Sequence, residues 1–220
     1  MSLVTGKLIV FEGIDGSGKT TQANLLANYL KTQNIPFEVI NFPRYEENLY
    51  GKLVRRYLEG EFGSLKDVNP YLAALVYAGD RALAKDLIAN WLNEGKIVIA
   101  NRYVSSSKAH LGANLKDEEK QKFIDWIEQL EYQTNKIPKE DLTIFLKVEP
   151  KVGQQNALDR NRPDIHEENL EHEVKTNRIY QELAAGPTWY TINCMENGQM
   201  KAPEHIHQEL IDILNDRFSN

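Results

Sequence analysis

The chain has 220 residues, of which 41% are hydrophobic and 26% are charged, an ordinary globular balance that fits one large domain. Its 26 basic and 32 acidic residues give a formal net charge of −6, which disfavours a dedicated nucleic-acid-binding protein. The single cysteine, Cys194, excludes an internal disulfide and an all-cysteine metal site. Because no apolar run is long enough for a membrane span or a signal peptide, we expect a cytoplasmic protein without membrane partners.

Five short apolar segments predict β-strands, because they are rich in β-branched and aromatic residues. They are Lys7–Glu12, Phe37–Phe42, Ile97–Ala100, Leu142–Val148 and Tyr190–Cys194. Apolar residues at three- and four-residue steps predict helices over Thr20–Gln33, Pro70–Asn93, Lys116–Glu131 and the tail from Pro203. This alternation predicts an α/β fold, in which a five-stranded parallel sheet carries helices on both faces.

The segment 151–173 breaks this pattern, because charges crowd there and apolar residues are few. A run of charges usually marks a solvated face, and a solvated pair of helices is therefore one interpretation. The other is a lid that closes over a ligand.

A phosphate-binding loop is the strongest motif of the chain. Gly13-Ile-Asp-Gly-Ser-Gly-Lys-Thr20 matches G-x-x-x-x-G-K-[ST], follows a predicted strand and opens a predicted helix. Its glycines allow backbone N–H groups to point at a phosphate, and the helix N-terminus adds positive potential. Lys19 can reach the β- and γ-phosphates, and the Thr20 hydroxyl can bind Mg²⁺. The predicted nucleotide-binding residues are Gly13, Ile14, Asp15, Gly16, Ser17, Gly18, Lys19, Thr20 and Thr21.

Such a loop by itself leaves kinases, GTPases, motors and ATP-driven binding proteins open. The Asn-Lys-x-Asp motif of GTPases is absent from the sequence, and 220 residues leave no room for a second motor-type domain. The other segments of the chain have to decide which of the remaining classes applies.

Four further segments resemble thymidylate kinases in their order and spacing. They are Phe11-Glu-Gly-Ile-Asp15, Phe42-Pro-Arg-Tyr45, Tyr77-Ala-Gly-Asp-Arg81 and Arg102-Tyr-Val-Ser-Ser106, and the resemblance continues through Asp164–Glu167 and Tyr180–Ala184. Thymidylate kinases transfer the γ-phosphoryl group of ATP to dTMP with Mg²⁺. The resemblance therefore implies a P-loop NTPase fold in a single domain over 1–220, a short lid at about 151–164, ATP and dTMP as substrates, and a homodimer.

The resemblance also implies an acceptor site. By this resemblance, the Tyr77 ring stacks on thymine and Arg81 donates a hydrogen bond to the thymine O4. Arg44 and Arg102 contact the 5′-phosphate of dTMP, and Asp15 holds its 3′-hydroxyl. Tyr77 and Arg81 stand four residues apart, hence on one helix face, although a core tyrosine with a solvated arginine would be the simpler interpretation without the resemblance. The full acceptor set is Asp15, Phe42, Pro43, Arg44, Tyr77, Arg81, Arg102, Ser106, Ser107, His110 and Glu167.

Catalysis needs charge neutralisation more than a general base, because a phosphate monoester is already largely dianionic at pH 7. Position 16 is glycine, so the chain resembles the thymidylate kinases that carry their catalytic arginine in the lid. Arg160 and Arg162 are the candidates there, with Arg160 slightly favoured, and the catalytic set is Lys19, Arg102, Arg160 and Arg162.

Two positions depart from the family pattern. Asn101 replaces the usual aspartate, so that it either holds metal-bound water less tightly or only orients Arg102. His110 takes the place of a tyrosine, and we expect it to pack or to face the 2′ position, because no second histidine has a useful spacing for a metal site. A kinase for another nucleoside or nucleotide, and an ATP-binding protein weakened in catalysis, remain the alternatives.

Overall fold

The computed structural model describes residues 6–65, 67–158 and 169–218, and a parallel sheet lies at its centre. Its strands are β1 (Lys7–Glu12), β2 (Phe37–Asn41), β3 (Ile97–Asn101), β4 (Leu142–Lys147) and β5 (Trp189–Asn193), in the order β2-β3-β1-β4-β5. All neighbouring strands pair in parallel. The predicted sheet is confirmed, and its strand ends differ from the predicted ones by at most one residue.

Helices cover both faces of the sheet. They are α1 (Lys19–Thr32), α2 (Leu49–Leu58), α3 (Pro70–Leu83), α4 (Lys85–Asn93), α5 (Val104–Gly112), α6 (Asp117–Glu128), α7 (Pro150–Leu158), α8 (Leu170–Leu183) and α9 (Pro203–Phe218). A π-helical segment (Gln129–Thr134) continues α6, and a hairpin of β6 (Met195–Glu196) and β7 (Gln199–Met200) precedes α9. Within the described ranges, no helix is long and apolar enough to cross a membrane.

The predicted single helix over Pro70–Asn93 is wrong, because two helices meet at Ala84. The Ala84 N–H bonds to the carbonyl of Arg81, three residues back, and Ala84 itself is completely buried. Ala84 and Ile88 belong to the same core as Ala74 of α3. The apolar spacing therefore runs on across the bend, and periodicity alone does not mark it.

Two further differences concern helices that the sequence pattern hides. Eight of the nine residues of α5 are buried, and a helix buried on nearly all sides shows no apolar stripe. In the polar segment 151–173, α7 and the start of α8 are helical, and Gly153 and Ala157 of α7 are buried. The described part of the segment is therefore helical and partly buried rather than a solvated pair of helices. The lid at about 151–164 stays a prediction, because residues 159–168 lie outside the described part.

Alternate residues of β1 belong to different cores, because successive side chains of a strand point to opposite faces. Leu8 and Val10 pack in the core on the side of α2–α6, and Ile9 and Phe11 pack in the core with α1 and α9. At the carboxyl ends of the strands, polar residues replace these apolar ones. Asn101 of β3 pairs with Phe11 of β1 and with Asn41 of β2. Ligands of open parallel sheets bind at this edge.

Candidate active site

The phosphate-binding loop joins β1 to α1 as the sequence predicts. Gly18 precedes the helix with φ of 91°, and Gly16 has φ of 71°, a left-handed conformation that favours glycine. Helix α7 lies directly over the loop: a Cβ atom at Gly16 would stand 1.9 Å from the carbonyl oxygen of Gly153. Position 16 therefore has no room for a basic side chain, in agreement with the absence of an arginine from this loop.

The Lys19 ammonium turns back on its own loop. It donates to the carbonyl oxygens of Gly13 (2.9 Å) and Ile14 (2.7 Å) and, at 3.3 Å, to the Ser17 hydroxyl. Burial, followed by the positive charge of Arg102, lowers the pKa of Lys19 to about 7. A polyphosphate at the loop would supply the negative charge that this ammonium lacks, so Lys19 is poised to exchange carbonyl partners for phosphate oxygens.

Hard oxygen ligands lie beside the loop at the start of α1. The Asn101 amide nitrogen donates to the Thr20 hydroxyl and to the Asn41 side-chain oxygen, at 3.1 Å in each case. The Asn101 side-chain oxygen is buried and accepts no hydrogen bond from the described part of the chain. A buried amide oxygen next to a threonine hydroxyl fits Mg²⁺ or its water shell, because Mg²⁺ prefers oxygen ligands. The hypothesis that Asn101 orients Arg102 through this oxygen is wrong.

Arg102 joins the loop to the rest of the site. It directly follows β3 with φ of 66°, and its guanidinium forms an ion pair with Asp15 of the loop. It also donates to the Ser106 hydroxyl at 3.3 Å and to Nε2 of His110 at 2.9 Å. Burial, the largest single influence, lowers the pKa of Arg102, but the negative groups around it, led by the Asp15 carboxylate and including Glu12, together outweigh burial and raise the pKa. Arg102 therefore keeps its full charge beside the loop.

A cavity opens next to this ion pair, and we call it the acceptor cavity. It is lined by Asp15, Pro43, Tyr45, Leu58, Tyr77, Arg102, Ser106, Ser107, His110 and Leu111. Seven of the predicted acceptor residues are thus brought together. Tyr45, Leu58 and Leu111 are wall residues that the sequence analysis missed, although Tyr45 ends the Phe42–Tyr45 segment that carried part of the resemblance.

Arg44 and Arg81 do not line this cavity. The Arg44 side chain donates to the carboxylate and the backbone carbonyl of Asp80, and its backbone N–H donates to the same carboxylate. Arg81 is 2% exposed and donates twice to Glu131, at 2.8 and 2.5 Å, and once to the Tyr103 carbonyl. Both guanidinium groups are held by carboxylates from other segments, which sequence spacing does not show.

Arg81 reaches the cavity only through Ser107, whose hydroxyl accepts its hydrogen bond at 2.7 Å. Burial, the largest single influence, lowers the pKa of Arg81, but the charge and hydrogen bond of Glu131 together with Tyr103 and Asp80 outweigh burial and raise the pKa. Phe42 likewise lies behind the wall, 5% exposed and 5.7 Å from the Tyr103 ring, centroid to centroid. These two predicted acceptor residues support the cavity in this structure and do not form its surface.

Glu12, at the end of β1, is a further residue that the sequence analysis missed. It is fully buried and accepts from the backbone N–H groups of Tyr103 (2.9 Å) and Ser106 (3.0 Å). It also accepts from the Ser106 hydroxyl and, across the site, from the Tyr180 hydroxyl at 2.8 Å. A carboxylate at the N-terminus of α5 favours that helix end, so Glu12 fixes α5 against the sheet.

Behind the acceptor cavity, α8 contributes a second histidine. The ring centroid of His172 lies 6.1 Å from that of His110, and Glu173 is the next residue of α8. The argument that no second histidine is available to His110 is therefore wrong, because tertiary packing brings together residues 62 positions apart. Burial lowers the pKa of His172 to about 4; burial and then the Asp15 carboxylate raise the pKa of Glu173 to about 8.

Three predicted site residues, Arg160, Arg162 and Glu167, lie outside the described residues. Their assigned roles stay predictions. The described neighbour of that segment, α7, contacts the loop through Gly153 and through Asn156, whose amide donates to the Gly16 carbonyl at 3.2 Å.

Comparisons with known proteins all lead to one family. The family model for thymidylate kinase matches residues 11–206. A probable thymidylate kinase from Methanococcus aeolicus is 34% identical over 213 residues, covering 96% of this chain and 97% of the relative. A thymidylate kinase from Mycobacterium tuberculosis is 28% identical over 205 residues, covering 89% and 95%. The solved structure of a thymidylate kinase from Candida albicans has the same fold, with a TM-score of 0.77 at 24% identity over 96% of this chain and 92% of that one. The chain belongs to the thymidylate kinase family.

Proposed function

We propose that this protein transfers the γ-phosphoryl group of ATP to dTMP, giving ADP and dTDP. The observation that carries the proposal is the ion pair between Asp15 and Arg102. Asp15 belongs to the phosphate-binding loop and also lines the acceptor cavity. A donor phosphate on the loop and an acceptor phosphate in the cavity would therefore meet beside one guanidinium.

Positioning and charge neutralisation account for the catalysis. A nucleoside monophosphate is largely dianionic at neutral pH, so its oxygen attacks without a general base. Lys19 moves from its loop carbonyls to the donor phosphates, and Arg102 stays charged against the acceptor phosphate. Arg160 or Arg162 completes the neutralisation when a nucleotide is bound.

For the metal, we propose Mg²⁺ bound with ATP. Thr20 and the Asn101 side-chain oxygen would hold it or its water shell. Bound there, Mg²⁺ would neutralise charge on the β- and γ-phosphates.

The base of the acceptor is read by Tyr77 and Ser107 in our proposal. Both line the cavity, and Arg81 orients the Ser107 hydroxyl from behind. We propose Arg44 as a contact of the acceptor 5′-phosphate, supported from behind by Asp80, and Tyr45 of the same segment lines the acceptor cavity. For Glu167 we propose a place near the acceptor sugar or the metal, as the resemblance implies.

We also propose a homodimer in the cytoplasm. The support for the dimer is a row of exposed leucines on α3 and α4: Leu72, Leu75, Leu83 and Leu87 are between 42% and 62% exposed. Burial of such side chains against a second copy stabilises association.

A coupled ADP-release assay over a panel of nucleoside monophosphates tests the proposed function. We expect dTMP to have the highest kcat/KM, dUMP to follow, and dCMP and purine monophosphates to be far lower. Loss of the 5-methyl group costs about 1 kcal/mol. A hydrogen-bond donor in place of the thymine O4 acceptor costs more, because it leaves buried groups unpaired. Equal values for dCMP and dTMP, or ADP release that does not depend on any acceptor, would reject the proposal.

A further inference from the structure

One face of α8 buries several side-chain oxygen atoms that lack a hydrogen-bond donor among the described residues. Glu173, Thr176 and Asn177 stand three and four residues apart, so they share this face, and they are 0%, 0% and 6% exposed. Both carboxylate oxygens of Glu173, the Thr176 hydroxyl and the Asn177 side-chain oxygen accept no hydrogen bond of normal geometry from the described residues. The Asp15 backbone N–H approaches the Glu173 carboxylate and lowers its pKa. Buried polar groups are normally satisfied, so a buried carboxylate of this kind points to a ligand.

Two imidazole rings complete a cluster around this carboxylate. His172 precedes Glu173 on α8, and His110 faces both from α5; the three residues are 4%, 0% and 8% exposed in that order. One ligand atom of each residue lies within 4.8 Å of the others. In a tetrahedral site with bonds of about 2.1 Å, two ligand atoms are roughly 3.4 Å apart, so side-chain rotations that move each atom by about 1 Å close the site.

We propose that His110, His172 and Glu173 bind a divalent first-row transition-metal ion, of the Zn²⁺ type, between α5 and α8. Two imidazoles and one carboxylate form a common donor set for such ions, and three protein ligands leave a position open to water. The site differs from the Mg²⁺ site at Thr20, because Mg²⁺ prefers oxygen ligands and avoids imidazole. The inference does not depend on which nucleotide is the acceptor.

The proposed ion competes with Arg102 for His110. Nε2 of His110 accepts from Arg102, which remains a donor at any relevant pH, so the imidazole proton is on Nδ1. A metal at Nε2 takes the lone pair that Arg102 uses. A metal at Nδ1 moves the proton to Nε2, where it faces the Arg102 donor. Either way, metal binding breaks the Arg102–His110 hydrogen bond. Because both residues line the acceptor cavity, this changes the cavity wall.

Cobalt binding to the full-length, metal-free protein tests the site, because Co²⁺ occupies sites of the Zn²⁺ type and its visible absorption reports the coordination number. We expect one equivalent to bind in the presence of excess Mg²⁺ and to be displaced by Zn²⁺. His172→Phe, which keeps an aromatic ring without a ligand atom, and Glu173→Gln, which keeps the side-chain volume, should each weaken binding by at least about 10-fold. The matched controls are His205→Gln and Glu171→Gln, whose parent side chains are exposed, and they should bind as the wild type does.

Three results would overturn the proposal. The first is a wild-type protein that takes up no Co²⁺ or Zn²⁺ under these conditions, which would leave the Glu173 carboxylate to ordered water. The second is binding that neither His172→Phe nor Glu173→Gln weakens. The third is an unchanged Co²⁺ affinity in Arg102→Met, because removal of the competing donor should tighten binding to His110. The wild-type titration decides the first of these even if a variant fails to fold.

Discussion

The phosphate-binding loop and the acceptor cavity are neighbours built in different ways. The loop is one continuous segment, and its lysine bonds to three residues within six positions of itself. The cavity is assembled from the loop, the segment after β2, helices α2 and α3, and the segment from β3 into α5. Its supporting contacts span 36 residues between Arg44 and Asp80 and 50 between Arg81 and Glu131.

The conformation of the loop is therefore set by contacts within its own segment, while that of the cavity depends on contacts between residues far apart in the sequence. Removal of a loop residue should act directly on phosphoryl transfer. Removal of a cavity support should act on stability and on the choice of acceptor as well. Four variants or measurements separate these two kinds of effect.

Lys19→Ala should have the largest effect on catalysis. The variant loses the ammonium that neutralises the donor phosphates, and we expect kcat to fall on the order of 10³-fold or more. The fold should persist, because none of the three hydrogen-bond partners of the Lys19 side chain is a carboxylate. Steady-state ADP release and thermal melting measure the two quantities. Lys31→Ala, at the exposed end of α1, is the matched control; normal turnover of Lys19→Ala would contradict the assignment of the loop.

Glu131→Leu should lower the stability of the protein, because Glu131 holds the Arg81 side chain that supports the acceptor cavity. It leaves the Arg81 guanidinium buried without its counter-charge, and we expect the free energy of unfolding to fall by about 3–5 kcal/mol. The double variant Arg81→Met with Glu131→Leu removes both charges and should recover most of that stability.

Activity then separates the structural role of this pair from its role in acceptor choice. The double variant should still lose selectivity for dTMP over dCMP, because the Ser107 hydroxyl is no longer oriented. Glu118→Gln, on the exposed face of α6, serves as the control. A stable double variant with wild-type selectivity would show that Arg81 only supports the fold.

ATP binding should take up a proton at Lys19. The pKa of Lys19 is lowered to about 7 in the folded protein, against 10.5 for an ordinary lysine. Between these values the unfolded chain binds more protons, so the contribution of Lys19 to stability rises with pH from 7 to 10.5 and is lowest below pH 7. Phosphates favour the ammonium form, so binding at pH 8 should take up close to one proton. Calorimetry in buffers of different ionisation enthalpy measures this uptake. Lys19→Met should abolish it, and equal uptake in that variant would assign the proton elsewhere.

Asn101→Asp should have the smallest effect, a shift of a few-fold in the Mg²⁺ requirement. The Asn101 oxygen lies buried beside Thr20, and a carboxylate there would accept more strongly from metal-bound water than an amide does. We expect half-maximal rate at lower Mg²⁺ in the Asp variant, with kcat changed less. Mg²⁺ titrations at saturating ATP and dTMP provide the measurement, with Asn41→Asp as the neighbouring control. Superimposable curves would reject a metal role for position 101.

Local patterns of the sequence by themselves determined the sheet and the loop. Lys7–Glu12 is a strand because six consecutive residues suit a buried parallel strand, and Gly13–Thr20 forms its loop because the glycines and Lys19 are all within one segment. Such features depend on neighbours along the chain, which a sequence displays directly. The resemblance to thymidylate kinases predicted most of the residues that line the acceptor cavity, again from short segments of the sequence.

Only the tertiary structure decided which partner each charged side chain takes. Arg44 turns to Asp80 and Arg81 to Glu131, and neither lines the cavity that the sequence assigned to them. Glu12 fixes α5 against the sheet from the end of β1, a role that its segment Phe11–Asp15 did not indicate, and His110 meets His172 across two helices. A buried charge is stable only with a partner, and that partner is chosen by packing among residues tens or hundreds of positions apart. For this reason spacing along the chain predicted where the arginines lie and did not predict what they bind.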